Sequence, residues 1–216
     1  MNESTEQAAA RFDDWAATYD EDRISPWFHF YQTMALARLN LEKAPGFLEV
    51  GCGTGWAVRE AARRVKNGPC SGIDISPKMI ARAKLLSSDN PRIEYRVANA
   101  ESIPYPDEAI NSILCTNSFH HYAKPLQALC EIRRVMRKGG TFVLLDSARD
   151  VFFPMWLQDR WRRYFERSHV RYYTTREIRS LLMAAELNIL GEILTIRKFM
   201  DHGKVFTGLM LVVCGR

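Results

Sequence analysis

The stretch from Phe47 to Gly55 constrains the fold of this chain more than any other. An apolar run there leads into a loop in which Gly51, Gly53 and Gly55 alternate with other residues, and a helical pattern follows from Trp56. A short apolar run is typical of a buried strand in a parallel sheet. Glycines let the chain turn sharply and let backbone N–H groups approach a ligand closely. The pattern therefore predicts a strand–loop–helix unit that holds a nucleotide-like ligand at the carboxyl end of a sheet.

Two acidic residues sharpen this interpretation. Glu49 lies inside the apolar run, where an unpaired carboxylate is costly. Asp74 lies in the next apolar run, about twenty residues after the loop, where a carboxylate that binds ribose is expected. Ser76 is the better candidate for capping the helix that follows. We therefore predict that Asp74 accepts the two hydroxyl groups of a ribose, and that Glu49 orients the loop or an ammonium group.

The phrases Glu-x-Gly-x-Gly-x-Gly at residues 49–55 and Gly-Ile-Asp-Ile-Ser at residues 72–76 resemble those of the class I S-adenosylmethionine-dependent methyltransferases. The chain is most similar to the branch that contains the ubiquinone and menaquinone biosynthesis methyltransferases. The similarity extends roughly over residues 12–145. The resemblance implies an α/β fold and the cofactor S-adenosyl-L-methionine.

The remaining chain alternates strand-like and helix-like segments, which predicts βαβ units and a parallel sheet. The last two strand-like runs flank the short turn Asp201-His202-Gly203, so they must be antiparallel. The resemblance implies a Rossmann-like, doubly wound, seven-stranded sheet of order 3-2-1-4-5-7-6 with one antiparallel strand, helices on both faces and a helical lid. The length fits a single domain over residues 1–216.

Helix ends are predicted from residues that favour them. Ser25 and Ser76 each precede a proline, and Thr174 opens a Thr-x-x-Glu pattern. Serine and threonine side chains accept hydrogen bonds from backbone N–H groups at helix starts, so we expect all three to cap helices. Lys138 lies before a glycine pair and is expected to end the helix that begins at Pro125.

The N-terminal segment, residues 1–42, is predicted to form a helical lid. Its aromatic residues recur at the spacing of one helix face, first up to Tyr19 and then, in a second helix, through Trp27 and Tyr31. The phrase Phe-Asp-x-x-Ala-x-x-Tyr-Asp resembles the family's N-terminal lid, in which the tyrosine reaches the cofactor. We expect Tyr19 to contact the cofactor and Trp27 and Tyr31 to contact the acceptor, with plain core packing as the alternative.

The phrase Ala-Asn-Ala-Glu-Ser-Ile-Pro-Tyr at residues 98–105 resembles the family's adenine-binding stretch, Asp-Ala-Glu-x-Leu-Pro-Phe. Asn99 replaces the usual aspartate, so one acceptor for the adenine amine remains but the charge-assisted bond is lost. An ordinary loop asparagine is the alternative. The motifs and the resemblance together predict these cofactor-binding residues: Tyr19, Glu49, Gly51, Cys52, Gly53, Gly55, Asp74, Ile75, Met79, Asn99, Ala100, Glu101 and Asn117.

The segment from Asn117 to Tyr122 follows the fourth predicted strand and contains two adjacent histidines. In similar enzymes this segment lines the sulfonium and the substrate. Either His120 or His121 can take a proton from an acceptor hydroxyl, because the pKa of histidine lies near neutrality. Polar packing at a helix cap is the alternative. We expect no metal site, because no carboxylate lies nearby at ligand spacing.

Residues 151–173 interrupt the strand–helix rhythm and are predicted to form a second, aromatic and basic lid. Aromatic and apolar residues recur every four positions from Phe153 to Phe165, which indicates one face of a helix. We expect this lid to select the acceptor through Phe153, Trp156 and Trp161. The alternative is that the stripe packs in the core.

The composition indicates a cytoplasmic protein. Five cysteines, an odd number without metal-ligand spacing, argue against a disulfide framework. No apolar run approaches the length of a membrane span, and Met1 to Gln7 is polar. Residues 149–216 hold 12 of the 30 basic residues and 7 of the 25 acidic ones, which accounts for the whole net charge of +5. The simpler interpretation of this excess of basic residues is a helix face exposed to solvent.

Three functions remain open. The leading hypothesis is methyl transfer to a small, flat or lipophilic acceptor by in-line displacement, which requires alignment and exclusion of water. The others are an RNA or protein methyltransferase and a cofactor-binding protein without activity. The glycine spacing and the adenine-binding phrase both argue against a nicotinamide oxidoreductase. An RNA acceptor would be bound through these arginines: Arg149, Arg160, Arg162, Arg163, Arg167 and Arg171.

Overall fold

A computed structural model describes residues 3–166, 169–200 and 205–216. The helices are α1 (Glu3–Trp15), α2 (Ser25–Leu36), α3 (Trp56–Arg64), α4 (Pro77–Leu85), α5 (Pro125–Val135), α6 (Phe153–Phe165) and α7 (Thr175–Ala184). The strands are β1 (Phe47–Val50), β2 (Cys70–Asp74), β3 (Ile93–Val97), β4 (Ile110–Thr116), β5 (Met136–Ser147), β6 (Asn188–Ile189), β7 (Leu194–Met200) and β8 (Val205–Gly215). Among these helices, none is long and apolar enough to cross a membrane.

The strands form one sheet in the order β3-β2-β1-β4-β5-β8-β6, with β7 also paired to β8. Strands β1 to β5 pair in parallel, and β8 runs antiparallel to β5. The predicted order is therefore confirmed, with one difference. The predicted sixth strand, residues 189–199, is split into β6 and β7, because Gly191 between them adopts a φ of 82° that interrupts an extended strand. The turn at Asp201-His202-Gly203 lies outside the described residues.

Alternating side chains along the strands enter two cores, one on each face of the sheet. Leu48 and Val50 pack in the core that contains residues of α5 and α7. Phe47 faces the opposite way, into the core that contains residues of α2, α3 and α4. Tyr31 belongs to this second core and is 2% exposed, so the prediction that it contacts the acceptor is wrong. Helices on both faces confirm the doubly wound architecture.

Three helix ends tested the capping predictions. Ser76 and Thr174 both cap their helices, and Thr174 forms the reciprocal capping box with Glu177. Ser25 does not, because its hydroxyl donates to the carbonyl of Tyr19 and Ile24 takes the cap position. Helix α5 ends at Val135 rather than Lys138, since Met136 already pairs with Ile110 in the sheet.

Three of the helices lie near the carboxyl edge of the sheet and bring side chains to it. On α1, the carboxylate of Asp13 accepts a hydrogen bond from the backbone N–H of Lys78 at 3.0 Å, at the start of α4. On α2, the amide of Gln32 donates to Thr116 at the end of β4 at 3.1 Å. On α6, Met155 lies against Gly208 of β8, where a Cβ atom would come within 2.9 Å of its side chain. These contacts place residues of both predicted lids at the carboxyl edge of the parallel strands.

Candidate active site

The three glycines of the loop, Gly51, Gly53 and Gly55, adopt positive φ angles of 77°, 51° and 78°. A Cβ atom on Gly51 would overlap the side chain of Ser118, and one on Gly55 would overlap the ring of Tyr95. At Gly53 the nearest heavy atom to such a Cβ is in the Tyr19 ring, 4.0 Å away. Gly51 and Gly55 are therefore required for packing, whereas Gly53 keeps open a space beneath Tyr19.

Asp74 organises the loop through its carboxylate. One oxygen accepts the backbone N–H of Gly53 at 2.8 Å, and the other accepts the N–H of Ser76 at 2.9 Å. Burial raises the pKa of Asp74, and the hydrogen bonds from Ser76 and Gly53 act in the opposite direction. Ser76 itself caps α4, so Asp74 is not needed as the cap. Both carboxylate oxygens retain lone pairs for a ligand with two hydroxyl groups.

Glu49 is fully buried on β1 behind the loop. Its Oε1 atom accepts a hydrogen bond from Thr116 at 3.2 Å, and Thr116 in turn accepts one from Gln32. Its Oε2 atom is buried and has no hydrogen-bond partner in the described structure. Burial raises the pKa of Glu49 to about 8. The carboxyl group is therefore held protonated near neutral pH until a cation comes close enough to stabilise the charge.

We expect the free energy of unfolding of the wild-type protein to decrease as the pH rises. The substitution Glu49→Gln should abolish that decrease. The pKa of Glu49 is raised from 4.5 to about 8, so between these values the folded state keeps a proton that the unfolded state releases. A protein whose folded state binds more protons loses stability as pH rises, starting near the unfolded pKa and ending near the folded one. Urea unfolding of the ligand-free protein across this window measures the slope. Equal slopes for both proteins would contradict the assignment.

Asn117, which follows the end of β4, has a strained backbone conformation and an unpaired side-chain hydrogen-bond donor. Its φ is 51°, in the left-handed region that non-glycine residues rarely adopt. Its Nδ2 atom is buried without a hydrogen-bond partner in the described structure. After the end of β3, Asn99 accepts the N–H of Glu101 at 2.9 Å, and Glu101 accepts the N–H of Lys124 at 2.8 Å. These contacts fix the backbone of the predicted adenine-binding stretch.

Most of the predicted site residues line one cavity. Glu49 and Gly55 lie outside its lining, behind Thr116 and beneath Tyr95 respectively. The predicted residues that line it are Tyr19, Trp27, Gly51, Cys52, Gly53, Asp74, Ile75, Met79, Asn99, Ala100, Glu101, Asn117, His120 and His121. Tyr19 lies within this wall, its ring parallel to that of Phe28 with 6.1 Å between centroids, and burial raises its pKa.

His120 forms a buried pair with Asp146. Its Nδ1 atom lies 2.6 Å from Asp146 Oδ1, and its backbone N–H donates to Asp146 Oδ2 at 3.1 Å. A carboxylate that accepts from Nδ1–H leaves the lone pair on Nε2, which is the tautomer that a general base needs. The ring of His121 packs 4.0 Å from that of His120 and edge-on to Phe12 at 5.0 Å. His120, rather than His121, therefore has the geometry of an oriented base.

Sequence reasoning missed Asp146, although it lies at the carboxyl end of β5, where parallel strands present ligand-binding residues. It also missed most of the wall beyond the histidines. That wall combines apolar and polar groups, and several of its members come from α1, α6 and the segment before α7: Arg11, Phe12, Met155, Gln158, Arg162 and Tyr172. Apart from Phe12, which belongs to the aromatic spacing of the N-terminal segment, no hydrophobic periodicity distinguishes these residues, because each element contributes only one or a few of them.

The aromatic stripe of α6 does not line this cavity. Phe153 is 69% exposed and Trp161 57% exposed, and neither they nor Trp156 belong to the cavity wall. The side of α6 that faces inward is the one with Met155 and Asp159, both nearly fully buried. The prediction that the stripe contacts the acceptor is therefore wrong, and so is the alternative that it packs in the core.

Asp159 explains why α6 is turned this way. Its carboxylate accepts from His169 Nε2 at 2.9 Å and from the backbone N–H of Tyr172 at 2.6 Å, and it also bonds Arg163. Although burial raises the pKa of Asp159, these hydrogen bonds lower it to about 2. A buried, ionised carboxylate with several donors holds its side of the helix inward, so the aromatic stripe must face solvent.

We expect Trp161→Ala to leave the unfolding free energy within about 0.5 kcal/mol of the wild-type value, as is usual for exposed positions. A tryptophan packed in the core would cost about 3–5 kcal/mol. The affinity for S-adenosylmethionine should also remain unchanged, since Trp161 lies outside the cavity wall. Thermal melts combined with cofactor titration measure both quantities. A loss of several kcal/mol would show that the stripe is buried after all.

Comparison with known proteins agrees with this geometry. Residues 48–144 match a family described as a methyltransferase domain. The 2-phytyl-1,4-naphtoquinone methyltransferase of Thermosynechococcus vestitus is 29% identical over 161 residues, which cover 70% of this chain and 72% of that protein. The demethylmenaquinone methyltransferase of Bacillus licheniformis is 29% identical over 56% of this chain and 52% of that protein. Against three other curated relatives, the chain spans only 33%, 56% and 50% of their length.

A solved structure shows the same fold over almost the whole chain. The complex between the Haloferax volcanii Trm112 methyltransferase activator and a putative methyltransferase matches with a TM-score of 0.81 and 22% identity, covering 94% of this chain and 96% of that one. The match over residues 48–144 supports a class I methyltransferase domain that uses S-adenosyl-L-methionine in the central part of the chain. Within that class, it resembles the menaquinone and naphthoquinone methyltransferases.

Proposed function

We propose that this protein transfers a methyl group from S-adenosylmethionine to a small aromatic or lipophilic acceptor. One observation carries the proposal: the glycine loop and Asp74 share a single cavity with His120, whose ring is held from behind by the buried Asp146. Methyl transfer from a sulfonium needs alignment of the two reactants and exclusion of water more than covalent help from the protein. A cavity with a cofactor-binding side and an adjoining side that holds a base meets both needs.

The cofactor side supplies groups of the right polarity. Asp74 offers two acceptor oxygens to the ribose hydroxyls, and the unpaired Nδ2 donor of Asn117 suits a carboxylate. Gly53 leaves room for the cofactor beneath Tyr19, and Asn99 lies where the adenine is expected. Apolar contact with the adenine and ribose comes from the remaining lining residues on this side: Cys52, Ile75, Met79 and Ala100. When bound, S-adenosylmethionine supplies an activated methyl group.

The acceptor side favours a flat molecule with a hydroxyl group. Its walls include the aromatic residues Phe12, Trp15, Trp27 and Phe28, which suit a planar ring. His120 takes the proton from the acceptor hydroxyl through Nε2, while Asp146 stabilises the imidazolium that forms. The relatives named for naphthoquinone and menaquinone act on flat, lipophilic molecules of this kind, which supports an acceptor of that class.

The two lids close the cavity from opposite sides in this proposal. The N-terminal lid, residues 1–42, contributes Tyr19 and Trp27, and the lid at residues 151–173 contributes Gln158 and Arg162. The cytoplasm is the proposed location, because all five cysteine thiols are free, and four are buried.

A small acceptor is preferred to RNA because most of the arginines in question are already engaged. Arg149 and Arg171 both pair with Glu177, Arg162 lies 3.5 Å from Glu166, and Arg163 bonds Asp159. Arg167 lies outside the described residues. Nucleic-acid binding depends on cationic side chains that neutralise phosphates and release their counterions. An arginine that is already paired with a carboxylate contributes little to this.

Incubation with methyl-labelled S-adenosylmethionine and fractionated cell extract tests the proposal. We expect label in the fraction of small molecules extractable into organic solvent, and its loss when S-adenosylhomocysteine is added as a competitor. Label in RNA or protein would instead assign a macromolecular acceptor. Cofactor binding without any labelled fraction would indicate a binding protein without activity.

A further inference from the structure

The outer face of α6 is a continuous aromatic surface exposed to solvent. Its large apolar side chains are between 41% and 83% exposed: Phe153, Trp156, Leu157, Trp161, Tyr164 and Phe165. They contact one another, since the rings of Phe153 and Trp156 stack at 6.0 Å and those of Trp161 and Phe165 lie 5.2 Å apart. Large exposed apolar patches on soluble domains mark interaction sites.

The charged side chains that α6 itself exposes have one sign. Asp159, the single acidic residue of α6, is 1% exposed and faces inward. The outer face carries Arg160, whose guanidinium lies over the ring of Trp156 at 5.3 Å. Arg163 is also exposed there, while it bonds Asp159 from the edge of the face. The chain from residue 149 to the C-terminus holds 12 basic and 7 acidic residues, so the part of the sequence that contains α6 has an excess of positive charge.

We propose that the outer face of α6 docks on the surface of a lipid bilayer that contains anionic lipids. Trp, Tyr and Phe side chains are favoured at the boundary between headgroups and acyl chains, and arginines beside them bind anionic headgroups. Arginine can also place its aliphatic stem on the apolar surface while its guanidinium remains among the headgroups. The inner side of the same helix is fixed by Met155 and Asp159, so the helix lies along the protein surface and does not need to insert across the bilayer.

Two other occupants fit this face less well. A second copy of the chain in a two-fold symmetric dimer would bring Arg160 and Arg163 towards their own copies. Helix α6 exposes no carboxylate to pair with them, and the nearby Asp150 already accepts hydrogen bonds from Thr175. RNA requires several cations that follow a phosphate backbone, whereas Arg160 is the only arginine of α6 that makes no ion pair with the described residues. The excess of apolar over cationic groups favours the interface of a bilayer.

Sedimentation with vesicles of phosphatidylcholine and phosphatidylglycerol tests the docking, and it requires neither an acceptor nor methyl transfer. Leu157→Asp places a charge in the outer face of α6, and Leu85→Asp makes the same change on α4. The two leucines are 50% and 65% exposed, so the variants are matched in chemistry and exposure. We expect Leu157→Asp to lower the partition coefficient by about tenfold or more and Leu85→Asp by less than about twofold. Both variants should keep the wild-type melting temperature and affinity for S-adenosylmethionine.

A second measurement locates the contact. Acyl chains brominated near the headgroup should quench tryptophan fluorescence in the wild-type protein, and the quenching should disappear in the double variant Trp156→Phe and Trp161→Phe. The proposal is overturned if the wild-type protein does not sediment with the vesicles, or if both aspartate variants bind equally. It is also overturned if Leu157→Asp converts a dimer to a monomer, or abolishes RNA binding, without changing vesicle binding.

Discussion

Replacing His120 by alanine is expected to lower kcat for methyl transfer by about 10²–10⁴, the usual contribution of a general base. The affinity for S-adenosylmethionine should stay within about twofold of the wild-type value, because the proposed base acts on the acceptor. His120 is the histidine whose Nδ1 atom is held by Asp146 at 2.6 Å, so its Nε2 atom is available as a proton acceptor. Steady-state kinetics with the acceptor identified by labelling, combined with cofactor titration, measures both quantities.

Two further variants separate a base from a merely structural histidine. His121→Ala removes the neighbouring ring without disturbing the bond between His120 and Asp146, and it should affect kcat much less. Asp146→Asn should also lower kcat, because an amide stabilises the imidazolium less well than a carboxylate does. An unchanged kcat in a folded His120→Ala protein would show that no base is required at this position.

Replacing Asp74 by alanine is expected to weaken the binding of S-adenosylmethionine by about 1.5–3 kcal/mol, which is roughly a 10- to 150-fold increase in Kd. Two ribose hydroxyls would lose a charged acceptor. In addition, the N–H groups of Gly53 and Ser76 would lose the carboxylate that fixes the loop at 2.8 Å and 2.9 Å. Isothermal titration calorimetry measures the change, and a thermal melt establishes that the variant is folded.

Asn99→Ala is the comparison for Asp74→Ala. Loss of one neutral hydrogen bond should cost about 0.5–1.5 kcal/mol, less than the loss of a charged acceptor. Asn99→Asp should bind S-adenosylmethionine as well as the wild type or better, because a carboxylate accepts more strongly from the adenine amine. If Asn99→Ala weakened binding more than Asp74→Ala in folded proteins, the orientation of the cofactor would have to be reversed.

The sequence predicts the glycine loop and the position of Asp74 well, because the features there are local. Gly51, Gly53 and Asp74 adopt positions that follow from one strand, one loop and the end of the adjacent strand. An ordinary turn from a strand to a helix needs one glycine rather than three at alternate positions, so the pattern is specific. The strand order needed the family resemblance, since periodicity indicates which segments are strands but not which of them are neighbours.

The cavity wall around His120 and the orientation of α6 were predicted less well, because the residues involved come together only through tertiary contacts. The apolar spacing of α6 correctly predicts a helix, but it assigned the buried side to Phe153 and Trp161. The buried side is instead decided by Asp159, whose partners His169 and Tyr172 lie 10 and 13 residues further along the chain. A polar residue that acquires several buried partners can outweigh an aromatic stripe, and the sequence of the helix alone does not reveal those partners.

A crystal structure of the protein with S-adenosylhomocysteine tests the central claim most directly. We predict that the ribose hydroxyls lie within hydrogen-bond distance of Asp74 and that the adenine lies beside Asn99 and Ala100. The amino-acid end should lie at the glycine loop near Asn117, with the His120 side of the cavity left for the acceptor. An adenine bound on the side lined by His120 and Arg162, or a ribose without contact to Asp74, would contradict the claim.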